Sequence, residues 1–395
     1  MSNTPAPGSQ HRHLPVRFQA LDGWRGVCAL LIVCFHAPVA GIVHTSPFFR
    51  HAFLFVDFFF VLSGFVITHA FYKRLANERD FGRFFVARLF RVYPLHLFML
   101  ALFVAFECLL LVTRGPGAAF QAGATPVELV HNLLMTQALG FLDTLSWNYP
   151  SWSISAELVA YALFGLVVVV RPRLLVPLAA LVIPLGLAAI LRMDGTIDTT
   201  FHLGWLRCLV GFSLGSLIRR RLWTGRMNGQ LPGASLAWTA AELSAVAMVG
   251  MFVAELGSSV LALGAPFVFG YALYVFAHEG GHVSRLLTSR PIAFLGTVSY
   301  SIYMTHAFIL SRAENVATVL QNRFGDAFFS HAADGKRLIG ANDAQALLAL
   351  GIIVAGTLAM SALTYRFIEA PGIDLGRRLA ERRTRASGRR EQAPA

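Results

Sequence analysis

Residues 152–170 read Trp152-Ser153-Ile154-Ser155-Ala156-Glu157-Leu158-Val159-Ala160-Tyr161-Ala162-Leu163-Phe164-Gly165-Leu166-Val167-Val168-Val169-Val170, nineteen residues with one charged side chain, Glu157. Arg171-Pro172-Arg173 follows, and residues 174–192 then run apolar again up to Arg192. A helix of about twenty apolar residues matches the hydrocarbon core of a bilayer. Neither block alternates apolar and polar residues, as a strand of an outer-membrane barrel would. The two blocks therefore read as a helical hairpin across a membrane, turned by a short basic loop.

The pattern recurs along the chain. Of 395 residues, 56% are hydrophobic and 14% charged, with mean hydropathy +0.59. A soluble domain carries roughly 25% charged residues, so this chain cannot cover its apolar surface with polar groups. Spans are expected at 24–43, 53–72, 92–113, 152–170, 174–192, 203–218, 236–254, 257–277, 293–312 and 344–367. The fold class is all-α, a polytopic membrane protein with about ten transmembrane helices. Soluble enzymes, disulfide scaffolds, collagen-like and disordered chains are excluded. Residues 1–17 read as a disordered tail rather than a cleavable signal peptide. Residues 18–371 form the membrane domain, and 372–395 a basic tail suited to an anionic inner leaflet. Residues 127–142 are moderately apolar and read as an interfacial or re-entrant helix. There is no internal repeat.

The net charge is +12, but the cations lie in short loops, which is topological information rather than a sign of nucleic acid. With the N-terminus inside, the inner connections hold 23 Lys and Arg and the outer ones 7. Both termini are therefore expected in the cytoplasm. The four cysteines, Cys28, Cys34, Cys108 and Cys208, lie in apolar blocks without CxxC spacing. They read as buried thiols, and no metal site is expected.

Polar groups inside spans are costly and need a reason. Arg25 and His36 are eleven residues apart, about three turns plus 20°, so they share a helix face roughly 16 Å apart along the axis. Arg88 and Arg91 are three apart and share a face at the inner edge of a span. Two such guanidinium groups suit a phosphate, although ordinary inside anchoring explains them as well. Asp57 and His36 fall at similar depth, where a carboxylate would fix the imidazole's tautomer. Glu157 and His306 lie toward the outer ends of their spans. Taken singly, Asp57, Glu157 and His306 each read as polar contacts between helices. Together, the cations gather at the inner mouth and the histidines and carboxylates in the outer half. That suits a protein passing chemistry from an anionic donor inside to an acceptor outside, or a transporter of a saccharide or lipid-linked saccharide.

Leu21-Asp22-Gly23-Trp24-Arg25-Gly26, followed by His36, resembles the opening signature of acyltransferase family 3, the integral-membrane O-acyltransferases of bacterial glycans. Phe59-Phe60-Val61-Leu62-Ser63-Gly64-Phe65, Arg88-x-x-Arg91, Trp152-Ser153 with Glu157, Ser299-Tyr300 with Tyr303 and His306, and Tyr365-Arg366-Phe367-Ile368-Glu369 before Pro371 are similar to its later blocks, in the family's order. The resemblance implies a membrane acyltransferase domain over 18–371 in the inner membrane. It implies transfer of an acyl group, most often acetyl, from acetyl-CoA to a hydroxyl of a glycan or glycosylated acceptor. Under it, His36 is base or transient acyl carrier, Arg25 stabilises donor or oxyanion charge, and Asp57 orients His36. Arg88 and Arg91 hold the phosphates of CoA, while Glu157, Trp152, Tyr303 and His306 shape the acceptor side. Longer members append an esterase-like domain after the last span. About two dozen polar residues follow that point here, so the short form is expected.

Overall fold

The computed structural model describes residues 17–223, 235–324, 328–332 and 335–391. The tail read as disordered thus lies, but for Arg17, outside the described residues. The chain runs from α1 (Gln19–His36) through two single turns, α2 (Ile42–Thr45) and α3 (Pro47–Arg50), to α4 (Phe55–Glu78) and α5 (Phe81–Arg114). An irregular stretch holding α6 (Pro126–Leu133) leads to the hairpin α7 (Trp152–Val170) and α8 (Leu175–Met193). Then come α9 (Gly204–Leu217), α10 (Leu236–Met251), α11 (Ala265–Phe276), α12 (His282–Leu287), α13 (Arg290–Thr297) and α14 (Ser299–Phe324). A small antiparallel pair, β1 (Phe329–His331) with β2 (Arg337–Ile339), precedes α15 (Asp343–Thr364) and α16 (Ala370–Glu391).

Six helical stretches among the described residues are long and apolar enough to cross a membrane, and a seventh if α13 and α14, bent by 71°, form one span. The all-α polytopic class holds, while length and composition do not reach the expected count of about ten. The three other expected spans fall on shorter or more charged helices. Span 24–43 is cut at His36, because Ala37 precedes Pro38 and is extended (ψ 120°). Span 203–218 is the fourteen-residue α9, and 257–277 contains the twelve-residue α11. Residues 343–382 form one nearly continuous helical stretch, so the tail begins as a helix, and α16 packs against α5. Residues 127–142 hold only the eight-residue α6, opened by a Thr125–Glu128 capping box and presenting Val127 and Val130 to the outside. Cys28 and Cys208 are buried as expected, but Cys108 is exposed on α5.

α4 is the centre of the bundle. Its apolar window is 72% buried, against 22% for α5, so α4 faces protein and α5 faces largely outward. The packing of α4 on α9 depends on two small residues. A Cβ at Gly64 would collide with the Phe212 carbonyl, and one at Gly215 with the Val61 carbonyl. Backbone-to-backbone approach at small residues is a main source of helix association in membranes, where apolar surface alone provides little drive. Gly64→Val is therefore expected to cut the yield of monodisperse protein in detergent several-fold, read by size-exclusion chromatography. A wild-type elution profile and yield would show that the contact is not needed.

The charge at Glu242 has a structural reason. Its carboxylate is fully buried and accepts from Gly281 N (2.8 Å), Ser284 N (3.1 Å) and Ser284 Oγ (2.5 Å), tying α10 to the start of α12. On the opposite side of the sequence, Ile339 N donates to Pro38 O (2.7 Å) and Ala40 N to Ile339 O (3.0 Å). This ladder fastens the chain directly after His36 and so holds the end of α1 in place.

Candidate active site

Five helices meet around a cavity of about 160 Å³. α1 supplies Arg25, α4 supplies Ser63, α5 supplies Arg88 and Arg91, α7 supplies Glu157 and Tyr161, and α14 supplies Ser299, Tyr300 and Tyr303. On α4 the lining runs from Ile67 to Val56, eleven steps or about 16 Å of helix. The sequence argument put Glu157 in the outer half, apart from the arginines. The structure brings it into the same cavity.

The three arginines are not equivalent. Arg25 donates to Ser299 Oγ (2.7 Å) and Gly296 O (2.8 Å) and pairs with Asp22 at 3.3 Å. Arg91 is ion-paired with Glu369, whose second oxygen accepts from Ser301 Oγ at 2.6 Å. Glu369 is 2% exposed and lies in a π-helical turn, Tyr365–Glu369, between α15 and α16. Arg88 has no carboxylate partner within ion-pair distance among the described residues. Its guanidinium lies over the Phe71 ring (4.7 Å to the centroid), and its Nε is buried without a hydrogen bond. A buried guanidinium N–H without an acceptor is costly. Of the pair expected to hold phosphate, Arg88 is thus the group with free donor capacity, and Arg91 already has its anion.

His36 and His306 form a second group. His306 Nε2 lies 3.1 Å from His36 Nδ1, and that same Nδ1 lies 3.1 Å from Ile32 O. With its proton on Nδ1, directed at the Ile32 carbonyl and His306, His36 presents an unprotonated Nε2. That Nε2 has no hydrogen-bond partner among the described residues. Tyr149 lies tilted against His36 with ring centroids 4.9 Å apart, and Phe35 covers another side at 4.6 Å. His306 is fully buried, with its Nε2 against His36 Nδ1. Asn148 donates to Met304 O (3.0 Å) and so anchors the Tyr149 loop to α14. Nothing in the local sequence marks Asn148 or Tyr149, because they meet the histidines only through the fold.

Asp57 does not reach His36. It accepts two bonds from Arg207, at 3.0 and 2.7 Å, and the pair is at most 1% exposed. Arg207 also donates to Phe53 O (3.3 Å) and Thr199 O (3.4 Å). The fully buried guanidinium takes the nearest carboxylate, because a charge left unpaired in the bundle costs several kcal/mol. Trp152 packs over that guanidinium, 5.7 Å from the ring centroid, and is 6% exposed. It supports the Asp57–Arg207 pair and does not border the cavity. Tyr303 does border it, accepting from Ser153 Oγ (2.8 Å) and donating to Pro150 O (3.1 Å).

The comparisons with known proteins agree with the sequence resemblance. Protein 2 in the picA locus of Rhizobium radiobacter is 36% identical over 173 residues, covering 38% of this chain and 82% of that protein. The peptidoglycan O-acetyltransferase OatA of Listeria monocytogenes is 23% identical over 382 residues, 89% of this chain and 55% of its own length. The O-acetyltransferase OatA of Staphylococcus aureus is 23% identical over 389 residues, 91% of this chain and 57% of its own length. The chain thus spans little more than half the length of these two O-acetyltransferases. No solved structure matches it. A family profile described as an acyltransferase domain matches residues 18–366, which include both the arginine-lined cavity and the histidine pair. The chain belongs to acyltransferase family 3 and is an acyltransferase.

Proposed function

We propose that the chain transfers an acyl group, acetyl first of all, from acyl-CoA in the cytoplasm to a hydroxyl of a glycan or glycosylated acceptor at the outer side of the bacterial inner membrane. The observation that carries this reading is the cavity along α4. It has in its wall Arg88, with no carboxylate at ion-pair distance among the described residues, and Tyr303, whose ring centroid is 5.8 Å from that of His306. With ten crossings, the 23-to-7 excess of Lys and Arg in the inner connections supports both termini inside. In that orientation the arginines face the acyl-CoA pool. The name of the Listeria protein, a peptidoglycan O-acetyltransferase, supports a glycan acceptor. The transporter alternative is not favoured, since the match is to an acyltransferase domain.

In this reading Arg88 and Arg25 neutralise the donor's phosphates, and the pantetheine arm lies along the cavity. His36 Nε2 takes the proton of the acceptor hydroxyl as its oxygen attacks the thioester carbonyl carbon. The C–S bond breaks, and the leaving thiolate recovers that proton from His36. The products are the ester and CoA thiol. His306 keeps the His36 ring turned so that Nε2 faces the reaction. Glu157 and Tyr303 line the path, and Asp57 acts only through the fold.

The two arginines separate by experiment. Arg88→Ala is expected to weaken CoA binding about tenfold to a hundredfold, the loss of a charged hydrogen bond worth about 1.5–3 kcal/mol. Binding of acetyl-pantetheine, which lacks the phosphates, is expected to change little. Calorimetry on the detergent-solubilised protein reads both. Equal weakening of the two ligands would rule out a phosphate at Arg88.

A further inference from the structure

The arginine-lined cavity and the histidine pair are neighbours but not one space. Phe59 and Tyr303 line the cavity, and neither His36 nor His306 borders it. The two rings meet edge to face with centroids 6.1 Å apart. Tyr303 in turn lies against His306 on the far side. The ring contacts thus run from the cavity wall through Phe59 and Tyr303 to His306, which touches His36.

They are held in different ways. Tyr303 is pinned by its two hydrogen bonds to the turn before α7, one from Ser153 and one to the Pro150 carbonyl. Phe59 has apolar contacts only. Within the run 58–60, Phe58 and Phe60 are each 2% exposed, while Phe59 keeps accessible surface. That surface belongs to the cavity. Phe59 also packs against both hydrophobic clusters of the bundle, one around α4 and the other around the outer part of α1. It stands where the two clusters join.

We propose that Phe59 and Tyr303 form an aperture between the donor cavity and His36, and that its width restricts the transferred acyl group to a short chain. The inference rests on the acyl-CoA reading above. A two-carbon acyl group fits beside an edge-to-face ring pair. Each further methylene has to push Phe59 away from a cluster it packs on, since Tyr303 is tied down. In a close-fitting apolar site one methylene changes discrimination by roughly 10–200-fold. Phe59 is then a specificity-determining residue, and Tyr303 the fixed edge against which it measures.

The test uses inside-out membrane vesicles carrying the full chain, with vesicles lacking it as background. Acetyl-CoA and butyryl-CoA are supplied outside, and released CoA thiol and membrane-incorporated acyl group are measured. Phe59→Ala is expected to raise the butyryl-to-acetyl ratio by about tenfold or more, and Phe59→Trp to lower it. Phe59→Leu, a milder change, gives a smaller rise and carries the test where the alanine variant does not accumulate. Acetyl transfer with a ratio within about twofold of wild type in both Phe59→Ala and Phe59→Leu overturns the aperture and leaves the donor reading standing. Wild-type protein that transfers butyryl as fast as acetyl also overturns it. Absence of chain-dependent CoA release from either donor overturns the donor reading, and the aperture with it.

Discussion

His36→Ala is expected to lower acyl transfer about 10²–10⁴-fold while the protein still inserts and folds, the range set by loss of a positioned general base. The reason is geometric. His36 is the final residue of α1, held there by the ladder between residues 38–40 and Ile339, and it keeps its Nε2 unpaired. Release of CoA thiol from acetyl-CoA in membrane vesicles reads the loss, and size-exclusion elution reads the fold. His306→Ala should have the smaller effect, because the Ile32 carbonyl still accepts from His36 Nδ1. A His36 variant active within about threefold of wild type would remove the residue from the chemistry.

The second large effect falls on stability. Asp57→Ala leaves Arg207 buried beside two carbonyls, with only the half-exposed Asp198 carboxylate at 3.8 Å, and breaking such a buried pair costs about 3–5 kcal/mol. That is a large share of the stability of any domain. Little folded Asp57→Ala protein is expected. Removing the guanidinium as well should restore much of it, since apolar side chains of similar volume often replace a buried pair at little cost. The double variant Asp57→Leu with Arg207→Met is thus expected to elute as folded protein and to keep most of its acyl transfer. If Asp57 instead oriented His36, the double variant would fold and yet be inactive. Thermal unfolding in detergent and the vesicle assay together distinguish the two.

The same residues mark what could be read from sequence. Arg25, His36, Arg88, Arg91, Glu157 and Tyr303 were identifiable from charge in apolar surroundings and from motif resemblance. All but His36 border one cavity, and His36 is joined to it through His306 and Tyr303. Pairings were not identifiable. Asp57 finds Arg207, 150 residues away, and Arg91 finds Glu369, 278 residues away. Helical spacing tells which side chains share a face. It says nothing about which neighbouring helix that face meets, because helix rotation and neighbour order follow from close packing at residues such as Gly64 and Gly215.

The sequence by itself determined that this is a helical membrane protein and to which family its motifs belong. Each rests on composition, run length or local pattern, which a bilayer and a short motif impose residue by residue. Only the tertiary structure decided which ionic groups are spoken for and which stay free. It tied up Asp57 and Arg91, left Arg88 without a carboxylate at ion-pair distance among the described residues, set His306 against His36, and placed Phe59 and Tyr303 edge to face in the cavity wall. The physical reason is that a buried charge takes whichever partner the packing brings within about 3 Å, and that distance is set by the fold and not by separation along the chain.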